Sequence, residues 1–195
     1  MRIPDYDGSS IANLTAELER RLGTDPPLPG LAPELAGAIP EGATYVFCLF
    51  DGLGDHQLGH PSASTLAAHR VGVVDATFPA TTAVALASVA TALAPAGHGL
   101  VSHFLHLGGD IGIVNALKWK TISGDAADID TATLLPETAW ERLVAAGREP
   151  VTVQPGPFAA SPLSRLLYRG CRFEGIWSPD EWVDAVVGLA AVPGR

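Results

Sequence analysis

Cysteine is scarce in this 195-residue chain, which has two, Cys48 and Cys171. Cys48 lies inside an apolar run and Cys171 beside Arg172, and two thiols so placed point to a reduced, cytoplasmic protein and not to a disulfide framework. Charge is sparse as well, at 17% of residues, and 12 basic against 21 acidic residues leave a net charge of -9. That surplus argues against binding to a nucleic-acid backbone. Long apolar segments are missing too. Ala83–Leu93 is far too short to span a bilayer, and Met1–Gly8 has no apolar run of the signal-peptide kind, so no membrane association is expected. At 47% hydrophobic residues, the chain suits a folded domain with a sizeable core. No internal repeat or low-complexity tract interrupts it.

Periodicity gives the expected elements. IANLTAELERRL, from Ile11, places Ile11, Leu14, Leu18 and Leu22 near one face, with Gly23 as a stop, and reads as an amphipathic helix. Asp25–Pro40 is rich in proline and suits a loop with a short helix at 33–38. Thr44–Phe50, TYVFCLF, is a continuous apolar run bounded by Gly42 and Gly52, which predicts a central strand covered on both faces. A helix over 62–70 and a second strand over 71–78 follow. Phe78–His98 holds a helix of small and apolar residues begun by Thr81 or Thr82. Ser102–Leu107 and Ile111–Leu117 read as strands joined at Gly108-Gly109-Asp110. The stretch 118–133 reads as irregular. Helices are expected over 136–146, 161–168 and 179–191, the last capped by Ser178, with a strand over 151–154. Strands alternating with helices indicate an α/β fold.

Chemistry concentrates on Asp51 and Thr82. If the strands ending at Phe50 and Phe78 are parallel neighbours, both residues emerge at the carboxyl edge where open α/β sheets bind ligands. Thr82 also stands at a helix N-terminus, where N–H groups and partial positive charge favour a phosphate or sulfate. A threonine hydroxyl is a poor nucleophile at neutral pH, and a Zn²⁺ ion bridging Asp51 and Thr82 would activate it. The structural alternative is that Asp51 ends a strand and Thr82 caps a helix, with no chemistry.

The residues around the pair carry a resemblance. FDGLG, FPATTAVALASVATAL and PAGHGL, spread over residues 44–103, resemble the alkaline phosphatase superfamily and within it the type I phosphodiesterase/nucleotide pyrophosphatase branch. The resemblance implies an alkaline-phosphatase-like α/β fold, a mostly parallel central sheet flanked by helices. It also implies Asp51 as a zinc ligand and Thr82 as the metal-bound nucleophile, with two Zn²⁺ ions in the complete family site. Phe78, Pro79, Thr91, Pro95, His98 and Gly99 take framework places. The reaction implied is hydrolysis of phosphodiester or pyrophosphate bonds in a small phosphate-ester or nucleotide substrate, through a phospho-threonine intermediate. Where many members carry a phosphate-holding Asn, this chain has Ala85. The family's later D-x-x-x-H and D-H-G motifs do not occur after residue 103. The chain therefore reads as one incomplete domain over 1–195, an apparently truncated N-terminal half, with lead 1–40 and the first part of the core over 41–195. Such a piece is expected to be inactive by itself, poorly soluble, and to expose a sheet edge or apolar face. The other expectations are a phosphomonoesterase or phosphonate hydrolase of the same superfamily, or a non-catalytic α/β module.

Other candidates are weaker. Asp55, His56 and His60 form D-H-x-x-x-H, but Gly59 and Pro61 favour a loop bordering a substrate pocket over a metal-binding helix. His98 reads as a helix-ending structural residue. His103 and His106, three apart in an extended segment, point to opposite faces. Lys118-Trp119-Lys120 reads as surface.

Overall fold

The structure, a computed structural model, describes residues 3–109, 111–127, 129 and 134–192. Helix α1 spans Ile11–Arg21. Ser10 and Asn13 form a capping box, the Ser10 hydroxyl accepting the Asn13 N–H at 3.3 Å and the Asn13 side chain accepting the Ser10 N–H at 3.0 Å. Two donors that the helix leaves orphaned are thereby satisfied. The Asn13 amide nitrogen donates onward to the carbonyls of Tyr6 and Pro29 at 2.8 and 3.0 Å, which ties the lead and the proline-rich loop to the helix start.

The later helices are short. α2 is Pro33–Ala36, and α3 is Ser64–Ala68 behind 3₁₀ turns at Asp55–Gly59 and Pro61–Ala63. α4 spans Thr82–Thr91, and α5 spans Pro95–His98. Strands β1 (Phe104–His106), β2 (Ile113–Asn115) and β3 (Lys120–Thr121) form an antiparallel meander, with Leu105 opposite Val114 and Val114 opposite Thr121. α6 covers Ala139–Ala145, capped by Thr138, whose hydroxyl accepts the Glu141 N–H. β4 (Val151–Pro155), α7 (Pro162–Leu167) and β5 (Arg172–Ile176) then make a parallel pair with a helical crossover, and α8 (Pro179–Ala190) packs on it. The protein is thus mixed α/β, with one antiparallel and one parallel sheet.

α4 is the centre of the core. Ala83, Val84, Ala87 and Ala90 on it pack in one buried cluster with Leu163, Leu166 and Leu167 of α7, Val114 of β2, and Trp119. Small residues let neighbours approach closely, and α1, α5, α6 and α7 all contact it. α1 buries a face other than the predicted leucine stripe: Ala12, Asn13, Thr15, Ala16 and Glu19 are buried, while Ile11, Leu14, Leu18 and Leu22 are partly exposed. The cause is a charge pair. Arg142 of α6 donates from Nε and Nη2 to the two Glu19 carboxylate oxygens, each at 2.8 Å, and from Nη2 to the Thr91 carbonyl at 2.9 Å. Thr24 adds a hydroxyl donor to Glu19 at 3.1 Å.

Two expected strands do not form. Thr44–Phe50 takes no regular secondary structure and pairs with no strand among the described residues, and Val46, Leu49 and Phe50 are exposed. Residues 71–78 contribute one parallel bridge, Asp75 to Ser10. A run apolar on both faces is stable as a strand only between two covering layers and beside partner strands. Among the described residues the one ring contact to that run is Trp182 of α8 against Phe50, at 6.3 Å between centroids. The described residues therefore hold two small sheets where one central sheet was expected. β5 and β3 were not anticipated. The predicted hairpin turn at Asp110, part of the irregular stretch (128 and 130–133) and residues 193–195 lie outside the described residues.

Breaking the Glu19–Arg142 pair should be costly because Glu19 is 2% exposed. Arg142→Met leaves a buried carboxylate without a partner and is expected to cost about 3–5 kcal/mol in urea unfolding. The double variant Glu19→Met/Arg142→Met, which removes both charges, should recover most of that loss. A loss under about 1 kcal/mol in the single variant would show that the pair is not what holds α1 to α6.

Candidate active site

Asp51 follows the apolar run Thr44–Phe50 and sits in a tight turn, closed by the Leu53 N–H donating to the Phe50 carbonyl at 3.3 Å. Gly52 takes the left-handed backbone that such a turn asks of its third residue, with φ 74°. Thr82 is the first residue of α4, behind the N-cap residue Thr81. The turn and the helix start meet: Thr82 Oγ1 donates to Asp51 Oδ2 at 3.1 Å across 31 positions of sequence.

The electrostatics of this end are those of an open helix terminus. The first hydrogen bond within α4 runs from the Ala85 N–H to the Thr81 carbonyl at 2.9 Å, so the N–H groups of Thr82, Ala83 and Val84 precede it. Thr81 makes no side-chain cap, and its buried hydroxyl has no hydrogen-bond partner among the described residues. The Asp51 carboxylate therefore lies at the positive end of the α4 dipole. Ala85, one turn in, adds no polar group.

Two oxygen atoms are a share of a metal site and not a whole one. A catalytic zinc takes at least three protein ligands. Among the described residues no three His, Cys, Asp or Glu side chains converge. The Asp51–Thr82 pair fits a hard or borderline divalent cation chemically, and the remaining ligands would have to come from elsewhere.

The other sequence candidates fall apart from this pair or into structural roles. His56 belongs to the 3₁₀ turn at Asp55–Gly59, and His60 follows it. With three residues per turn, positions four apart do not share a face, so the two imidazoles do not form a helical metal pair. His60 Nδ1 accepts the Ser62 N–H at 3.2 Å. Asp55 is bound by the Arg70 guanidinium, whose hydrogen bond holds its carboxyl below the usual range. His103 Nε2 accepts from the Asn115 amide at 3.1 Å, and His106 is exposed on β1. Lys118 and Lys120 are exposed, while Trp119 turns into the core with φ 50°. Burial pushes the Cys171 thiol up to about 12, and Cys48 is a free exposed thiol.

Sequence reasoning missed the role of Ser88. Its hydroxyl lies 3.0 Å from His98 Nε2, while His98 Nδ1 accepts the Leu100 N–H at 3.1 Å. The imidazole is therefore neutral, with its proton on Nε2 and donated to Ser88, and it clamps α5 to α4. The sequence reading placed His98 in a structural role at the helix end, without this partner. The i, i+10 placement of Ser88 and His98 around a Pro-x-Gly turn was the only available signal.

No family model, curated protein or solved structure matches the chain. Among the described residues no helix is long and apolar enough to cross a membrane.

Burial lowers the His98 pKa to about 4 from an ordinary value of 6.5. Between those values the unfolded chain binds more protons than the folded one, so stability is complete above pH 6.5 and is lost as pH falls towards 4. Urea unfolding should show a loss of about 2 kcal/mol between pH 7 and pH 5 from this residue. His98→Gln, which cannot titrate, should flatten that slope, and an unchanged slope would remove His98 as its source.

Proposed function

We propose that Asp51 and Thr82 form the nucleophile element of a hydrolase of phosphodiester or pyrophosphate bonds. The family proposed is the type I phosphodiesterase/nucleotide pyrophosphatase branch of the alkaline phosphatase superfamily, with its α/β fold. The observation that carries the reading is the Thr82 Oγ1 to Asp51 Oδ2 hydrogen bond of 3.1 Å, made at an uncapped helix N-terminus. Two residues 31 apart meet where an anion is favoured.

The chemistry of the chain's own groups follows from that placement. The Thr82 hydroxyl proton lies on the line to Asp51, which leaves an oxygen lone pair for an incoming phosphorus atom. The phosphate oxygens face the first-turn N–H groups of Thr82, Ala83 and Val84, because Ala85 supplies no side-chain donor. Backbone donors thus replace the amide found at that position in many members of the branch. Asp51 and Thr82, with ligands beyond them, would hold a zinc ion, which would supply the positive charge that makes a hydroxyl acidic near neutral pH. Attack by Thr82 Oγ1 forms the new P–O bond as the alcohol or phosphate leaving group departs with its electron pair, and water then hydrolyses the phospho-threonine. A carboxylate by itself is too weak a base for this hydroxyl, so activity should depend on added divalent metal.

The test is hydrolysis of bis-p-nitrophenyl phosphate, with and without zinc, once the metal ligands beyond Asp51 and Thr82 are supplied, since this chain by itself is expected to be inactive. Turnover should require the metal and fall by at least about a hundred-fold in Thr82→Ala, with circular dichroism unchanged and stability within about 0.5 kcal/mol. Equal turnover in wild type and Thr82→Ala would remove Thr82 as nucleophile.

A further inference from the structure

Asp51 ends a run that no strand ladder holds among the described residues. Upstream, the Tyr45 hydroxyl donates to the Pro40 carbonyl at 3.3 Å and accepts the Gly42 N–H at 3.0 Å. The chain from Tyr45 to Asp51 can reach roughly 20 Å, so that anchor leaves the carboxylate unplaced. Downstream, the Gly54 N–H donates to Gln57 Oε1 at 3.0 Å, a contact within the next turn. A tie to a distant element stands directly beside Asp51. The Phe50 ring meets Trp182 of α8 edge to face, with centroids 6.3 Å apart and planes at 64°. Such pairs hold their orientation because the positive edge of one ring meets the negative face of the other.

Trp182 is a fixed post for that ring. α8 starts behind Ser178, whose hydroxyl accepts the Glu181 N–H at 3.2 Å. Trp182, Ala185, Val186 and Leu189 recur at i, i+3, i+4 and i+7 and are half-buried, while Val183 and Val187 are exposed. That stripe faces β4 and β5, on which α8 packs. The crossover between those strands is α7, whose Leu163, Leu166 and Leu167 share one buried cluster with Ala83, Val84, Ala87 and Ala90 of α4. A packed path therefore runs from α4 through α7, the parallel pair and α8 to Trp182, and returns through Phe50 to Asp51. Its two ends meet at the 3.1 Å hydrogen bond from Thr82 to Asp51. Close-packed elements transmit displacement instead of absorbing it, so the ring contact is the step at which this circuit opens or stays closed.

We propose that Trp182 is a positioning residue for Asp51, setting through Phe50 the distance at which the carboxylate accepts the hydrogen bond of the Thr82 hydroxyl. Without the indole, a run that is exposed at Val46, Leu49 and Phe50 loses its tie beside Asp51, and the carboxylate swings away from the N-terminus of α4. Such a displacement matters because a reaction at Thr82 needs its partner group held in place. The proposal rests on the reading of Asp51 and Thr82 as a pair, and its test separates the two.

The test is carbon NMR of the Asp51 carboxyl group in the isotope-labelled chain at neutral pH, read beside urea unfolding. Thr82→Val removes the hydroxyl and should move the Asp51 carboxyl resonance, which responds to the hydrogen bonds the group accepts. Trp182→Ala should move it in the same direction by most of that amount, and adding Thr82→Val should move it no further. Trp182→Phe, which keeps a ring on α8, should hold it near the wild-type position. Leu189→Ala, on the same face of α8, should lower stability and leave the resonance in place, which a purely structural role for Trp182 does not predict. An Asp51 resonance unmoved in Trp182→Ala, or moved equally by Leu189→Ala, overturns the positioning role and leaves the Asp51–Thr82 pair standing. A resonance unmoved by Thr82→Val shows that the hydrogen bond is absent, which overturns the pair and the positioning role with it. Should Trp182→Ala fail to fold, Trp182→Leu, apolar but without a ring, decides.

Discussion

The buried contact between Glu19 and Arg142 fixes the geometry on which everything else rests. Its guanidinium holds both oxygens of a carboxylate on α1 and also the last-turn carbonyl of α4 at Thr91. Three helices are thereby joined at one point, and all the donors and acceptors taken from water there are matched. A buried pair of this kind is weak as a source of net stability and strong as a specifier, because any other arrangement strands a charge. It also explains why α1 turns its small and polar face inward and leaves its leucines at the edge.

Fixing the C-terminal end of α4 has a consequence at the other end. α4 is one rigid rod of ten residues, packed through Ala83, Ala87 and Ala90 and closed by Ala92 in the left-handed conformation at φ 54°. The His98–Ser88 clamp holds the chain that leaves it. Its N-terminal turn is then presented at a set position, with Thr82 outermost and no side chain capping it. The Asp51 turn comes to that end, so a surface carboxylate and a helix dipole converge on one hydroxyl. Rigid presentation of a nucleophile by a buried helix is what a reaction at Thr82 requires.

Much of this was legible in the sequence, for identifiable reasons. The cap of the last helix was readable, Ser178 before Pro179, whereas Ser10 before Ile11 and Thr138 before Ala139 start their helices by the same side-chain chemistry without having been read from the sequence, which put the start of the 136–146 helix at Pro136. The meeting of Asp51 and Thr82 was anticipated by their places at the ends of two apolar runs, although neither run became a ladder strand. TYVFCLF shows why strands were harder. Its composition states that it avoids water, but pairing depends on partners far away in sequence, and Val46, Leu49 and Phe50 stay exposed. β5 was invisible because RFEGI carries a charge at each alternate position of its first half and a glycine near its end. Buried polar pairs such as Glu19–Arg142, 123 residues apart, leave no local pattern at all.

The functional account reduces to one covalent event, bond formation between Thr82 Oγ1 and phosphorus. Acid quenching during zinc-dependent turnover of bis-p-nitrophenyl phosphate, with the metal ligands beyond Asp51 and Thr82 supplied, followed by peptide mass spectrometry, looks for that bond itself. The account predicts an aryl-phosphoryl group on the peptide containing Thr82 and on no other residue. Modification at another side chain, or product formed with Thr82 unmodified throughout, would contradict it.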